Sequence, residues 1–181
     1  LYESGISRIA GYPVRGFLWY QGESNTNFPE LYEVILPELV RNWRTSWTDS
    51  TLPFYFAQIS SLNRPSWPEF RDTQRRLASI IPNSGMVVTT DVGHPTDVHP
   101  RNKKSVGERF ASLALNDIYG FRKGGRSPEP VRAERRGNLV VITFRHSGSL
   151  KTSDGLPVRE VEVSVSGNDF KPASARIRRN R

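Results

Sequence analysis

The sequence predicts an α/β domain followed by a smaller β unit. Three short apolar runs in the first 120 residues suit buried strands of a parallel sheet, because both faces of such a sheet are covered and its strands are apolar throughout. These runs are 14–20, 53–60 and 85–90. A segment with helical periodicity follows each run, and strands that alternate with helices are typical of a parallel sheet.

The three predicted helices show apolar residues at helical spacing. They cover 29–47, 69–81 and 100–116. The first predicts a wide apolar face. Its apolar residues recur every four positions at Leu31, Ile35, Leu39 and Trp43, with Val34, Leu36 and Val40 alongside. Pro29 and Pro100 each fit the first position of a helix, where no backbone N–H is needed.

The character of the sequence changes beyond residue 121. The segment 122–130 is rich in Gly, Pro and Arg, and the runs 138–144 and 160–166 have strand character. We therefore expect a first domain over 1–121 and a second over 122–181. Three or four strands leave edges and part of an apolar face open, so the second domain is predicted to be a partial β-sandwich.

Composition argues against several classes of protein. The net charge is +8, but residues 1–120 hold equal numbers of basic and acidic side chains, so the excess lies in the last third. Those basic residues are scattered and accompany no recognition motif, so we expect no nucleic-acid partner. No apolar run approaches the roughly 20 residues that cross a bilayer, so no membrane partner is expected. The chain has no cysteine, which excludes a thiol nucleophile or a disulfide from these residues.

The segment 91–100 follows the third predicted strand and holds two histidines and two acids. In open α/β sheets this end of a strand faces the functional crevice. His99 beside Asp97 suits a general base that a carboxylate orients. The alternative is that Asp97 caps the next helix and His99 is a loop residue. Together with Asp91 and His94 these residues match no metal-binding spacing, so we expect neither a metal nor another cofactor.

A second polar segment follows the first predicted strand. Gln21 and Asn25 offer amide donors that suit an oxyanion hole, and Gly22 permits close approach of the backbone to a ligand. Glu23 adds a carboxylate. Ser24 lacks the second glycine of a G-x-S-x-G elbow and is not predicted to be a nucleophile. The alternative for the whole segment is an ordinary glycine turn.

WYQGESN, followed later by DVHPRNKKSVGERFASLAL, resembles the sialate O-acetylesterase family, a branch of the SGNH hydrolases. The resemblance extends over nearly the whole chain. It implies a flavodoxin-like, three-layer α/β/α SGNH hydrolase domain. It also implies a carbohydrate O-acetylesterase that uses a serine to hydrolyse O-acetyl esters on sugars such as sialic acid. The residues alone do not indicate a location, and only the resemblance points to a periplasmic or secreted protein.

The resemblance also implies roles for individual residues. His99 matches the catalytic base and Asp97 is the nearest candidate for its orienting acid. Only Val98 separates the two, so two alternatives remain: Asp91 as the acid, or a backbone carbonyl as the partner of His99.

The same resemblance makes Gln21 and Gly22 the oxyanion donors, with Asn25 next. Glu23 is expected to brace this loop. Trp19 is expected to support the loop or to contact the sugar, and stacking on a sugar is also considered for Tyr20 and Trp67.

The nucleophile of the family lies in an upstream motif of the Gly-Gln-Ser-Asn type, and no such motif occurs in these 181 residues. We therefore expect the chain to be the C-terminal part of the esterase domain, without its N-terminal part, joined to the start of the sandwich. It should be inactive alone. Its expected partners are an acetylated carbohydrate and the segment or second chain that carries the serine. The alternative is a carbohydrate-binding or structural module without catalysis.

Overall fold

The structure is a computed structural model that describes residues 2–121, 126–148, 150–152, 154–167 and 169–178. It divides into two compact units, Leu1–Arg126 and Ser127–Arg181. The expected boundary after residue 121 adjoins 122–125, which lie outside the described residues. Among the described helices, none has the length and apolar character that crossing a membrane requires.

The first unit contains a parallel sheet of three strands. They are β1 (Phe17–Trp19), β2 (Phe54–Ala57) and β3 (Ser84–Val87), in the order β1-β2-β3. Phe54 of β2 lies opposite Phe17 on one side and Ser84 on the other. The α/β prediction is confirmed, although each strand is shorter than the apolar run that predicted it.

In the described part of the first unit, α-helical segments accompany the sheet. They are α1 (Ser7–Ile9), which follows a π-helical segment at Tyr2–Ile6, α2 (Pro29–Ser46), α3 (Trp67–Ile80) and α4 (Lys103–Asp117). Pro29 starts α2 as predicted. Pro100 does not start α4, because Asn102 caps that helix and its Oδ1 accepts a hydrogen bond from the Ser105 N–H at 3.1 Å.

Successive residues of β2 point to opposite faces of the sheet and separate two cores. Phe54 and Phe56 belong to a core built with α2 and α3. Tyr55 and Ala57 belong to a second core, which α4 closes with Val106, Phe110 and Leu113. Helices therefore cover both faces of the sheet, and the predicted three-layer α/β/α architecture is confirmed.

The buried face of α2 agrees with the predicted apolar face at Leu36 and Val40 and differs from it at Leu31 and Ile35. The residues of α2 that are buried are Tyr32, Leu36, Val40 and Arg44. Leu39 and Trp43 pack partly buried against the core, but Leu31 and Ile35 are 53% and 39% exposed. The apolar stripe of α2 is wider than the surface that the three strands offer, so its outer row remains in solvent.

The second unit contains two separate antiparallel strand pairs. β4 (Glu129–Arg136) pairs with β5 (Leu139–Arg145), and β6 (Glu162–Ser164) pairs with β7 (Phe170–Pro172). In the part of the chain that the structure describes, no strand joins these pairs into one sheet. The partial sandwich stays a prediction.

Candidate active site

Three loops meet at the carboxyl edge of the parallel sheet. The oxyanion loop (residues 20–25) follows β1, the middle loop (58–66) follows β2 and the histidine loop (88–102) follows β3. Since β1 and β3 both flank β2, their ends lie about 10 Å apart. The two polar segments singled out in the sequence therefore lie at one edge of the sheet, the edge at which open α/β sheets form their functional crevice.

The oxyanion loop gathers the predicted amide donors. The Gln21 side chain donates from Nε2 to Asn25 Oδ1 at 2.6 Å, and the Asn25 N–H donates to the Gly22 carbonyl at 2.8 Å. The Tyr32 hydroxyl donates to the Gln21 carbonyl at 3.3 Å. Glu23 opens the short 3₁₀ helix that contains Asn25, and its carbonyl accepts a hydrogen bond from the buried Thr26 hydroxyl.

Gly22 occupies a position that only glycine suits. Its φ of +149° lies in a region that side chains rarely adopt. A Cβ there would lie 2.8 Å from Phe70 Cε1 and 3.2 Å from Ile59 Cγ2. The missing side chain lets the oxyanion loop rest directly on α3 and the middle loop.

Replacing Gly22 with alanine is expected to destabilise the chain. The backbone strain alone is worth about 1–3 kcal/mol, and the Phe70 ring would also have to move. Urea unfolding followed by circular dichroism measures the change. Gly107→Ala is the matched control, because a Cβ at that helical glycine meets nothing within 4 Å and should be neutral or slightly stabilising. Equal urea midpoints for wild type and Gly22→Ala would show that alanine is accommodated at position 22 without backbone strain.

Gln74 of α3 holds the start of the middle loop. It is fully buried, its Oε1 accepts from the Ile59 N–H at 2.9 Å and its Nε2 donates to the Ala57 carbonyl at 3.4 Å. One side chain thus satisfies the donor and the acceptor that β2 leaves unpaired where it ends. Gln74 is not among the residues predicted from the sequence, because a buried glutamine on a helix leaves no periodic signal.

Arg109 of α4 holds the start of the histidine loop. Its guanidinium donates to the Val88 carbonyl at 2.6 Å and makes two hydrogen bonds, each 2.6 Å, to the Asp91 carboxylate. These bonds from Arg109 hold the pKa of Asp91 below its usual range. Asp91 is therefore engaged in an ion pair, which disfavours it as the acid that orients His99.

Asp97 and His99 lie together in the same loop. Asp97 Oδ1 accepts from the His99 backbone N–H at 2.9 Å and lies 3.8 Å from His99 Nδ1. That backbone hydrogen bond is the main reason why the pKa of Asp97 lies below its usual range. The Asp97 N–H in turn donates to His94 Nδ1 at 3.1 Å. The His99 side chain is 89% exposed, so its ring can reach a group in the crevice.

The middle and histidine loops touch along their backbones. A Cβ on Gly93 would lie 2.3 Å from Ser61 Oγ and 2.5 Å from the Ser61 nitrogen, so only a glycine fits there. Next to this contact, the Asn63 N–H donates to the Pro95 carbonyl at 3.0 Å. The segment before His99 is thereby fixed to the loop that follows the central strand.

Tyr20 links the oxyanion loop to the other two. Its hydroxyl is buried beside the side chains of Ser60 and Thr89, and burial raises the pKa of Tyr20. Lys103 Nζ lies 4.9 Å from the centre of the Tyr20 ring, at a cation–π distance. Lys103 thus occupies space that a stacked sugar would need.

The two tryptophans considered for sugar contact are both packed. Trp67 is 2% exposed and donates from Nε1 to the Ser60 carbonyl at 2.7 Å, so it is a core residue and offers no free face to a sugar. Trp19 packs edge-on against Trp43, with ring centres 5.6 Å apart, and lies partly buried against the core. This packing favours loop support for Trp19, and its contact with sugar stays a prediction.

Among the described residues, no three histidine or carboxylate side chains converge to hold a metal ion.

A cavity of about 530 Å³ opens at the opposite, amino-terminal edge of the sheet, lined by residues that include Val40, Thr48 and Pro82. Arg44, which lines that cavity, donates hydrogen bonds to the Leu52 and Pro82 carbonyls. These bonds connect α2 to the loops that precede β2 and β3.

A three-layer α/β/α domain whose carboxyl edge joins a histidine–carboxylate pair to a cluster of amides has the architecture of the SGNH hydrolases. The family model "Carbohydrate esterase, sialic acid-specific acetylesterase" matches residues 1–116, and the chain belongs to this family. The predicted resemblance is thereby confirmed.

Relatives and a solved structure agree with this assignment. Mouse and human sialate O-acetylesterase are each 27% identical to the chain in alignments 179 residues long, and these alignments cover 85% of the chain. The crystal structure of a carbohydrate acetylesterase from Xanthomonas citri superposes with a TM-score of 0.84 at 32% identity and covers 94% of the chain. The chain spans 33% and 34% of the mouse and human proteins and 41% of the Xanthomonas chain.

Proposed function

We propose that this chain forms the histidine-bearing part of a carbohydrate O-acetylesterase, which hydrolyses acetyl esters on sugar hydroxyls. The observation that carries the proposal is the pair Asp97–His99 on one flank of β2, with Gln21, Gly22 and Asn25 on the other. Membership of the acetylesterase family supports the same activity. In the proposed enzyme His99 is the base and the amides of the oxyanion loop form the oxyanion hole.

His99 takes the proton from the serine hydroxyl as the serine oxygen attacks the acetyl carbonyl carbon. The negative charge on the carbonyl oxygen is held by Gln21 and the Gly22 N–H. His99 then gives its proton to the departing sugar oxygen, which leaves an acetyl-serine. Water, deprotonated by His99, releases acetate. Asp97 stabilises the imidazolium that forms in each step.

The serine has to come from a segment that is not among these residues, since no Gly-Gln-Ser-Asn motif occurs in them. The described sheet supports this. β1 is an edge strand, and Leu18 on it is 61% exposed although strands of parallel sheets are ordinarily covered on both faces. We propose that the serine-bearing segment, on the same polypeptide or another, extends the sheet next to β1. The chain together with that segment is called the assembled esterase below.

The test is hydrolysis of an aryl acetate at neutral pH. The chain alone should give no turnover above buffer, and the assembled esterase should hydrolyse the ester. Ser24→Ala is the control, because Ser24 lies exposed in the 3₁₀ helix and has no proposed role in the chemistry. Activity of the chain alone that Ser24→Ala abolishes would place the nucleophile in this sequence. An inactive assembled esterase that still binds sugars would favour the carbohydrate-binding alternative.

A further inference from the structure

The side chain of His94 closes the turn that ends at Asp97. Its ring Nδ1 accepts hydrogen bonds from the backbone N–H groups of Thr96 at 3.3 Å and of Asp97 at 3.1 Å. The Thr96 hydroxyl lies 3.4 Å from the same nitrogen. A β-turn with proline at its second position commonly begins with Asp, Asn or Ser, whose side-chain oxygen can accept such bonds. Here Pro95 takes the second position, and an imidazole nitrogen replaces that oxygen.

The backbone on both sides of His94 is fixed to the middle loop. A Cβ on Gly93 would overlap Ser61, so the two backbones are in direct contact. The Pro95 carbonyl accepts a hydrogen bond from the Asn63 N–H at 3.0 Å. The ring of His94 therefore starts from an anchored position and extends this anchorage to the end of the turn.

Asp97 forms the next turn in a similar way. Its Oδ1 accepts from the His99 N–H at 2.9 Å and lies 3.8 Å from His99 Nδ1. The position of this carboxylate relative to the imidazole depends on where the backbone of Asp97 is held. The N–H of that residue is held by His94.

The hydrogen bonds to His94 Nδ1 require that this nitrogen carries no proton. A backbone N–H can only donate, so Nδ1 accepts and the proton of the neutral ring lies on Nε2. Protonation of the ring puts a hydrogen on Nδ1 and removes the acceptor. Histidine is the side chain that most often changes its charge near physiological pH. The turn is thus closed only while His94 is neutral.

The charged groups around the turn belong to the histidine loop. Asp97 attracts the positive charge of three neighbours: His94, His99 and Arg101. The contacts of the middle loop with the turn come from uncharged residues. In the described part of the chain no carboxylate forms an ion pair with the His94 ring. The pKa of Asp97 lies below its usual range, mainly through the backbone hydrogen bond from His99, so Asp97 stays charged while a histidine titrates.

We propose that His94 is a positioning residue of the esterase, whose neutral Nδ1 holds Asp97 in the orientation that His99 requires. The inference rests on the proposed function and gives His94 no contact with substrate. Asparagine at position 94 can accept the same hydrogen bonds and does not titrate. Activity of the wild type should therefore fall with acid more steeply than that of His94→Asn, because two neutral histidines are needed in the wild type and one in the variant.

The contact can be tested in the chain without any serine. The backbone amide resonances of Thr96 and Asp97 are followed by NMR from about pH 5 to 8 in His99→Ala, so that the titration of His94 is seen without that of His99. Both amides should shift as the ring is protonated. They should be independent of pH in His94→Asn/His99→Ala, and adding His146→Asn to His99→Ala should leave their titration unchanged. Amides that do not follow the ring, or a proton on Nδ1 of the neutral ring in wild type, would overturn the proposal.

The assembled esterase gives the catalytic readout with an aryl acetate. At neutral pH, His94→Ala should lower kcat about twofold to tenfold, the worth of an ordinary hydrogen bond, with KM nearly unchanged. His94→Asn should restore most of kcat and make the acid limb of the pH profile less steep. His146→Asn is the matched control, because it makes the same change in the second unit and should leave the profile as it is.

The outcomes separate this proposal from the esterase proposal. An identical acid limb for wild type and His94→Asn would overturn the role of His94, and so would a His94→Asn enzyme no more active than His94→Ala. Amides that follow His94 in an assembled protein that hydrolyses no ester would support the contact between His94 and Asp97 and overturn the esterase proposal alone.

Discussion

Changing His99 to alanine is expected to lower kcat/KM of the assembled esterase by about 10²–10⁴-fold, the loss typical for a general base. We expect the largest effect of any substitution in the chain here, because His99 acts in both the formation and the hydrolysis of the acetyl-serine. The measurement is kcat/KM for an aryl acetate at equal folded fraction, which circular dichroism verifies. His146→Ala is the control, since His146 is an exposed histidine of the second unit and has no proposed role in the chemistry. Near-normal activity of His99→Ala would contradict the proposed serine-esterase mechanism.

The same assay separates the two candidate acids. Asp97→Asn should approach the loss seen with His99→Ala if Asp97 orients the imidazole, because an amide favours the wrong tautomer. Asp91→Asn should act mainly on stability, since it removes the ion pair with Arg109. A strongly reduced kcat/KM for Asp91→Asn together with a near-normal kcat/KM for Asp97→Asn would show that Asp91 is the orienting acid.

Changing Gln21 to alanine is expected to lower kcat by about 10²–10³-fold, the cost of removing one oxyanion donor. The effect should fall on kcat more than on KM, because the charge on the carbonyl oxygen develops only in the transition state. Asn25→Ala should cost less, since Asn25 Oδ1 accepts from the Gln21 amide and so positions it. Asn27→Ala is the control, as Asn27 lies exposed just beyond the oxyanion loop. A change in KM alone would show that Gln21 binds the ground state.

The sheet could be predicted because short apolar runs and helical periodicity are local signals. The spacing of Asp97 and His99 is also local, and the structure keeps the two close. Long-range partners left no such signal. Gln74 meets Ile59, and Arg109 meets Asp91, only after the helices have packed on the sheet.

Local signals also misled where tertiary packing decides the outcome. Pro100 suits the start of a helix, yet Asn102 sets the start of α4 through its cap. Leu31 and Ile35 fit the apolar period of α2 but lie beyond the width of the three-stranded sheet. The spacing of apolar residues along the sequence shows that a helix has an apolar face. How much of that face is buried depends on the sheet and helices that pack against it.

The exposure of His99 affects how the catalytic machinery assembles. With 89% of its side chain in solvent, the imidazole can change rotamer within picoseconds to nanoseconds, while its backbone stays tied to Asp97. Fixing the ring against a serine therefore costs side-chain conformational entropy, on the order of 1 kcal/mol. In the esterase proposed above, that cost falls at the step in which the serine-bearing segment joins the sheet. If that segment is a separate chain, its docking equilibrium would then set the fraction of molecules with an ordered triad.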